Sequence, residues 1–91
     1  MLNPSLTNRF RKDYKAMEMR GYEMSKIDEV INTLLKEKPL PPEKRDHPLS
    51  GNWKGHRECH IEPNWLLVYR IKETELLLSL TRTGSHSDIF H

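Results

Sequence analysis

Residues 56–72, His-Arg-Glu-Cys-His-Ile-Glu-Pro-Asn-Trp-Leu-Leu-Val-Tyr-Arg-Ile-Lys, decide how this chain folds. They divide into two strand-like stretches, 56–62 and 65–72, separated by the turn-prone pair Pro63-Asn64. So short a link favours an antiparallel reversal. A third stretch, 75–82, follows the short link 72–74. The last two stretches are dominated by Leu, Val, Ile and Tyr, side chains that suit a pleated, half-buried surface. The second half of the chain is therefore predicted to be an antiparallel meander.

Towards the N-terminus the period changes. Leu6, Phe10, Tyr14 and Met17 recur at helical spacing, which predicts a helix over 7–20 that buries this stripe, with Gly21 suited to its end. Ile27, Val30, Ile31, Leu34 and Leu35 form the stripe of a second helix, with Ser25 and Asp28 as a capping-box-like start and Pro39 as its stop. Pro39-Leu-Pro-Pro42 cannot continue a helix and reads as a surface connection. Together these elements predict an α+β fold. Two N-terminal helices pack on one face of a mainly antiparallel sheet of about four strands, with a short strand at 2–5 on its edge.

At 91 residues, 35 % hydrophobic and 31 % charged, the chain has material for one core, so residues 1–91 are expected to form a single domain. A domain this small is modestly stable, and a bound partner would matter to it. No signal-peptide pattern is present and no apolar run nears the roughly 20 residues of a membrane span, so a cytoplasmic location without a membrane partner is expected. The single cysteine, Cys59, fits a reducing compartment and reads as a small buried side chain. A net charge of +2 is too mild to mark a nucleic-acid binder by itself. Arg9, Arg11, Lys12, Lys15 and Arg20 nevertheless outweigh Asp13 and Glu18 in the first quarter, which reads equally as a solvated helix face or a stripe facing RNA.

All five histidines, His47, His56, His60, His86 and His91, fall in the second half. On a strand, His56, Glu58 and His60 share one face while Arg57, Cys59 and Ile61 share the other. Imidazoles titrate near neutral pH, so histidines that face outward are natural general acids and bases. RNA brings its own nucleophile, the 2′-hydroxyl, and two imidazoles with one or two cations suffice to cut it without metal or cofactor. Lys54, Arg57 and Arg82 are the candidates to hold phosphate, and Trp65 and Phe90 the candidates to stack on bases. Plainer readings stand beside these: Trp65 as core at the start of an apolar strand, Arg82 as a solvated charge at a strand end. Zinc on His56, Cys59 and His60 is disfavoured, because on a strand Cys59 points away from both histidines.

Asp46-His-Pro-Leu49, Gly51-Asn-Trp-Lys-Gly55, Arg57-Glu-Cys-His60, Pro63-Asn-Trp65, Leu66-Leu-Val-Tyr69 and Arg82-Thr-Gly-Ser-His86 followed by Ile89-Phe90, in that order, resemble the YafQ branch of the RelE/ParE toxins. The resemblance implies a microbial RNase-like fold, ribosome-dependent cleavage of mRNA in the A site, and inhibition by a cognate antitoxin in a hetero-oligomer. By position it puts functional histidines at His47, His60 and His86, the family's tryptophan at Trp65 and its C-terminal aromatic at Phe90. Where the family commonly has an aspartate before the tryptophan, this chain has Asn64, which hydrogen-bonds but accepts no proton as a carboxylate does.

The resulting expectation is a toxin of a type II toxin–antitoxin system, an endoribonuclease that works by metal-independent general acid–base transphosphorylation. Its catalytic set is His47, His60, His86, Asn64 and Arg82, with His60 or His47 as base and His86 as acid. Its RNA-binding set is Lys54, Arg57, Trp65 and Phe90. Two other classes compete. One is a non-catalytic toxin of the same fold that binds DNA gyrase, as in the ParE branch; the other is an RNA-binding regulatory module. The histidine set speaks against the gyrase binder, which needs no titratable groups at those places.

Overall fold

Five strands and three helices follow one another along residues 1–90, the span that this computed structural model describes. They are β1 (Asn3–Leu6), α1 (Asn8–Met19), α2 (Ser25–Leu35), β2 (His47–Pro48), β3 (Arg57–Glu62), β4 (Trp65–Lys72), β5 (Leu77–Gly84) and α3 (His86–Ile89). Thr7 starts α1, its extended backbone letting the side-chain oxygen accept the Phe10 N–H at 2.9 Å. Gly21, at φ +86°, turns the chain out of the helix. The start of α2 differs from expectation, because Ser25 is already helical and no side chain caps the helix. Asp28 is instead taken by the Tyr14 hydroxyl of α1 at 2.8 Å, so a bond between helices uses the carboxylate that a capping box would have needed.

The strands lie in the order β1-β5-β4-β3-β2. The antiparallel meander β3–β4–β5 is as expected. The edge strand β1 runs parallel to β5, with Asn3 opposite Leu77, and β2 pairs antiparallel with β3 at the other edge, His47 opposite Glu58. The expected count of four strands and two helices is thus corrected by β2 and α3. These elements have 2 and 4 residues, too few for a hydrophobic period to reveal them. A further correction is the start of β5 at Leu77, because Glu73–Glu75 closes a 3₁₀ turn and Leu76 takes φ +51°.

Both long helices cover one sheet face. Phe10, Met17, Ile27, Val30 and Leu34 pack there against Cys59, Ile61, Trp65, Leu67, Tyr69, Leu78 and Leu80. Each such full burial contributes about 1.5–3 kcal/mol. The opposite face holds a smaller cluster of Leu66, Val68 and Ile89, bordered by the half-buried Leu49, Trp53 and Phe90. Strand β4 is apolar on both faces, so residues 65–69 form an unbroken apolar run rather than an alternation. Between Val68 and Tyr69 the register with β5 shifts: Val68 lies opposite Arg82 and Tyr69 opposite Leu80, which leaves Thr81 as an extra residue. That bulge turns Thr83 towards the helices. No helix of the described residues is long and apolar enough to cross a membrane.

Candidate active site

Pairing of β2 with β3 sets His47 opposite Glu58, and strand alternation puts His60 on the same face, the one that α1 and α2 leave open. His47 Nε2 lies 3.5 Å from Glu58 Oε2, and His60 Nε2 lies 3.6 Å from Glu58 Oε1. Glu58 itself is only 6 % exposed. His47 Nδ1 is 2.7 Å from the Arg45 carbonyl oxygen and His60 Nδ1 is 3.0 Å from that of Pro63. A carbonyl only accepts, so each Nδ1 donates its hydrogen and each Nε2 is left to take or give a proton. One carboxylate therefore faces two proton-exchanging nitrogens and can balance an imidazolium on either side. Glu58 was placed on the histidine face by alternation but given no role. Only the cross-strand partner His47, supplied by the two-residue β2, reveals it.

A second cluster gathers around α3. Ser85 caps this helix: its Oγ accepts the Asp88 N–H at 3.1 Å, and the Asp88 carboxylate accepts the Ser85 N–H at 2.9 Å. Gly84 leaves room for the box, since a Cβ there would lie 3.1 Å from the Asp88 side chain. The Ser85 N–H foremost, and Arg20 at the end of α1 at 3.2 Å after it, hold the Asp88 carboxyl below the usual carboxylate range. His86, exposed on this helix, leans on Phe90 with ring centres 5.2 Å apart; Phe90 meets Trp53 at 5.6 Å and Trp53 meets His56 at 5.6 Å. Asn64 Oδ1 accepts the His86 backbone N–H at 3.4 Å, which ties the turn between β3 and β4 to the helix that bears His86.

Not every expected residue joins these clusters. Trp65 is 1 % exposed, meets Tyr22 edge-on at 5.0 Å and donates its Nε1–H to Thr83 Oγ1 at 3.0 Å. Its expected stacking on a base is corrected to a core role, because no face of the ring reaches solvent. As alternation predicts, Arg57 lies on the Cys59 face of β3; it pairs there with Asp46 at 3.3 Å and the sheet separates it from Glu58, so its expected role of holding phosphate beside the histidines is corrected. Arg82 binds Asp13 of α1 with Nε at 2.7 Å and Nη2 at 3.3 Å, and Nη2 reaches the Asp88 carbonyl at 3.4 Å. The side chains of this pair are 13 % and 12 % exposed, so the Arg82 charge is balanced within the fold.

Lys54 is exposed and Phe90 half-buried. Two side chains near them were missed. Trp53 belongs to the ring series just described. Arg70 of β4 is exposed, alternates onto the Val68 face, and has no side-chain hydrogen bond or ion pair among the described residues. Its place two residues beyond Val68 was the available signal. Among the described residues, no group of three or more His, Cys, Asp or Glu side chains is placed to hold a metal ion. Burial pushes the Cys59 thiol up to about 12, which keeps it protonated at neutral pH. His91 lies outside the described residues.

A family model described as the bacterial toxin of type II toxin-antitoxin system, YafQ, matches residues 2–91. The mRNA interferase toxin YafQ of Escherichia coli strain K12 is 39 % identical over 85 residues, which span 92 % of this chain and 90 % of that protein. A copper-bound mutant toxin from Helicobacter pylori has a TM-score of 0.93 at 46 % identity, over 99 % of this chain and 100 % of that one. A chain from the E. coli DinJ-YafQ complex has a TM-score of 0.92 at 35 % identity, with 100 % of both chains covered. With a family model that spans nearly the whole sequence and relatives this similar over nine tenths or more of their length, the chain belongs to the YafQ family of bacterial toxins of type II toxin–antitoxin systems.

Proposed function

We propose that this chain is an endoribonuclease that cuts messenger RNA in the ribosomal A site by general acid–base transphosphorylation, using protein groups and the RNA's own hydroxyl. The observation that carries this reading is the Glu58 carboxylate between His47 Nε2 at 3.5 Å and His60 Nε2 at 3.6 Å, with both Nδ1 atoms engaged by carbonyl oxygens. In the reaction, the 2′-oxygen attacks the adjacent phosphorus and gives its proton to Nε2 of His60 or His47. The bond from phosphorus to the 5′-oxygen breaks, and His86 protonates the departing oxygen. The products are a 2′,3′-cyclic phosphate and a 5′-hydroxyl. Glu58, beside the Nε2 that takes the proton, balances the imidazolium formed by the base. Lys54 offers positive charge to the phosphorane and Phe90 an aromatic surface to a base.

The name of the E. coli relative, mRNA interferase toxin, supports the substrate class, and the E. coli DinJ-YafQ toxin-antitoxin complex supports an antitoxin partner. This chain is accordingly read as one cytoplasmic domain held by a cognate antitoxin in a hetero-oligomer. The test is cleavage of a translated message with and without ribosomes, and with chelator once ribosome integrity is controlled. Glu58→Gln and His60→Ala are expected to slow cleavage roughly 10²- to 10⁴-fold while the folded signal in circular dichroism is kept. Full-rate cleavage by Glu58→Gln refutes the mechanism, and equal cleavage of free RNA removes the ribosome from it.

A further inference from the structure

The segment between β2 and β3 and the strand β4 beside it each present a group that this reaction does not use. Trp53 closes the 3₁₀ turn Gly51–Trp53, and the left-handed backbone of Gly51 at φ +63° and Gly55 at φ +92° bounds that turn. The indole rests on the cluster of Leu66, Val68 and Ile89 and remains half exposed. It meets His56 at an interplanar angle of 88° and Phe90 at 77°, so neither neighbour stacks flat on it. Its Nε1–H has no partner among the described residues. Arg70 comes up beside the same segment from β4: its Nε would lie 3.8 Å from a Cβ at Gly55. The guanidinium is exposed and no carboxylate among the described residues balances it.

We propose that Trp53 and Arg70 form a nucleotide subsite next to the bond that is cut, with the indole stacked on the base of a neighbouring nucleotide and the guanidinium holding its phosphate. The proposal rests on the reading that RNA lies across this sheet face. Three features favour a single-stranded RNA occupant. The rings of His86, Phe90, Trp53 and His56 form an unbroken series from the proposed acid towards Arg70. A planar aromatic surface takes any base, because every base has a π-face. An arginine with no counter-ion among the described residues, beside that surface, matches the phosphate that follows a base at short range. The other tryptophan, Trp65, is 1 % exposed and cannot serve.

The test uses the intact chain freed from its antitoxin and a 2′-O-methyl RNA hexanucleotide, which lacks the attacking hydroxyl and is not cut. Since Trp65 is buried, saturable quenching of tryptophan fluorescence on titration reads Trp53, and wild type should show it. By anisotropy of labelled RNA, Trp53→Leu and Arg70→Gln should each weaken binding about tenfold, which is about 1.4 kcal/mol, and Trp53→Phe should restore part of it. On ribosomes the first two should raise KM by about the same factor with kcat within about twofold of wild type, a split that loss of folding would not produce. Arg70→Gln removes no buried contact, so it keeps the test valid if Trp53→Leu disturbs α3. No quenching, or equal binding by wild type and both variants, overturns the subsite. If wild type cuts a message and both variants cut it with the wild-type KM, the subsite alone falls. If wild type never cuts on ribosomes, the proposed function falls and takes the subsite with it.

Discussion

Asp13→Ala is expected to destabilise the chain by about 3 kcal/mol, more than Arg82→Ala, although only Arg82 looks like a phosphate ligand in sequence. Asp13 accepts Arg82 Nε at 2.7 Å, Arg82 Nη2 at 3.3 Å and the Thr83 N–H at 3.2 Å. Breaking a fully buried ion pair by removing one partner costs about 3–5 kcal/mol, and the 12 % and 13 % exposure of these side chains puts this pair at the low end. Losing the Thr83 bond is included in that figure at about 1 kcal/mol. Arg82→Ala leaves Asp13 with the Thr83 N–H and with Arg9 at 3.7 Å, so its cost is about 2 kcal/mol. The double variant leaves no uncompensated charge and should cost about 3 kcal/mol rather than about 5, a coupling of about 2 kcal/mol. Urea unfolding followed by circular dichroism measures all four corners of the cycle, and a loss of about 3 kcal/mol corresponds to a Tm lower by on the order of 15 °C for a chain this size. Cleavage assayed well below each midpoint should then be similar for the two single variants. Additive costs, or a fully stable Arg82→Ala that has lost cleavage while Asp13→Ala retains it, would refute the structural role and return Arg82 to the phosphate.

Other perturbations test the remaining contacts. Asp88 has a depressed carboxyl pKa in the folded chain, so it contributes stability above the ordinary carboxylate range and loses it as pH falls through the folded value. The stability gap between wild type and Asp88→Asn should hold from neutral pH to about pH 4 and close below it; a gap that is constant with pH contradicts the assignment. Asn64→Asp places a carboxylate at the His86 N–H and should speed single-turnover cleavage about tenfold, whereas superimposable pH–rate profiles would leave Asn64 as a turn residue. Saturation with the cognate antitoxin at about 100 times its Kd should add about 2.7 kcal/mol of stability, and an unchanged Tm speaks against a complex.

Amphipathic period and turn chemistry by themselves determined much of this molecule. The stripe Phe10 and Met17, the stripe Ile27, Val30 and Leu34, and the apolar run from Trp65 made both long helices and the central meander legible, because burial on one face imposes a repeat that a sequence displays. The resemblance marked His47, His60 and His86, and the order of its motifs marked the family. Alternation already set Glu58 with His60 on one face of a strand; tertiary structure alone decided what each face meets. Glu58 became the partner of two histidines only through β2, an element of 2 residues with no period of its own. The extra residue Thr81 broke the alternation that would have set Arg82 beside Leu78 and Leu80, and Asp13, 69 positions away in sequence, then took its charge. Trp65 and Trp53 each follow an asparagine, yet one is core and the other half exposed, since burial depends on what packs over each face of the sheet. Periodicity is a local property and survives in one dimension; contacts across strands and between helix and strand end are long-range, and the chain's order does not record them.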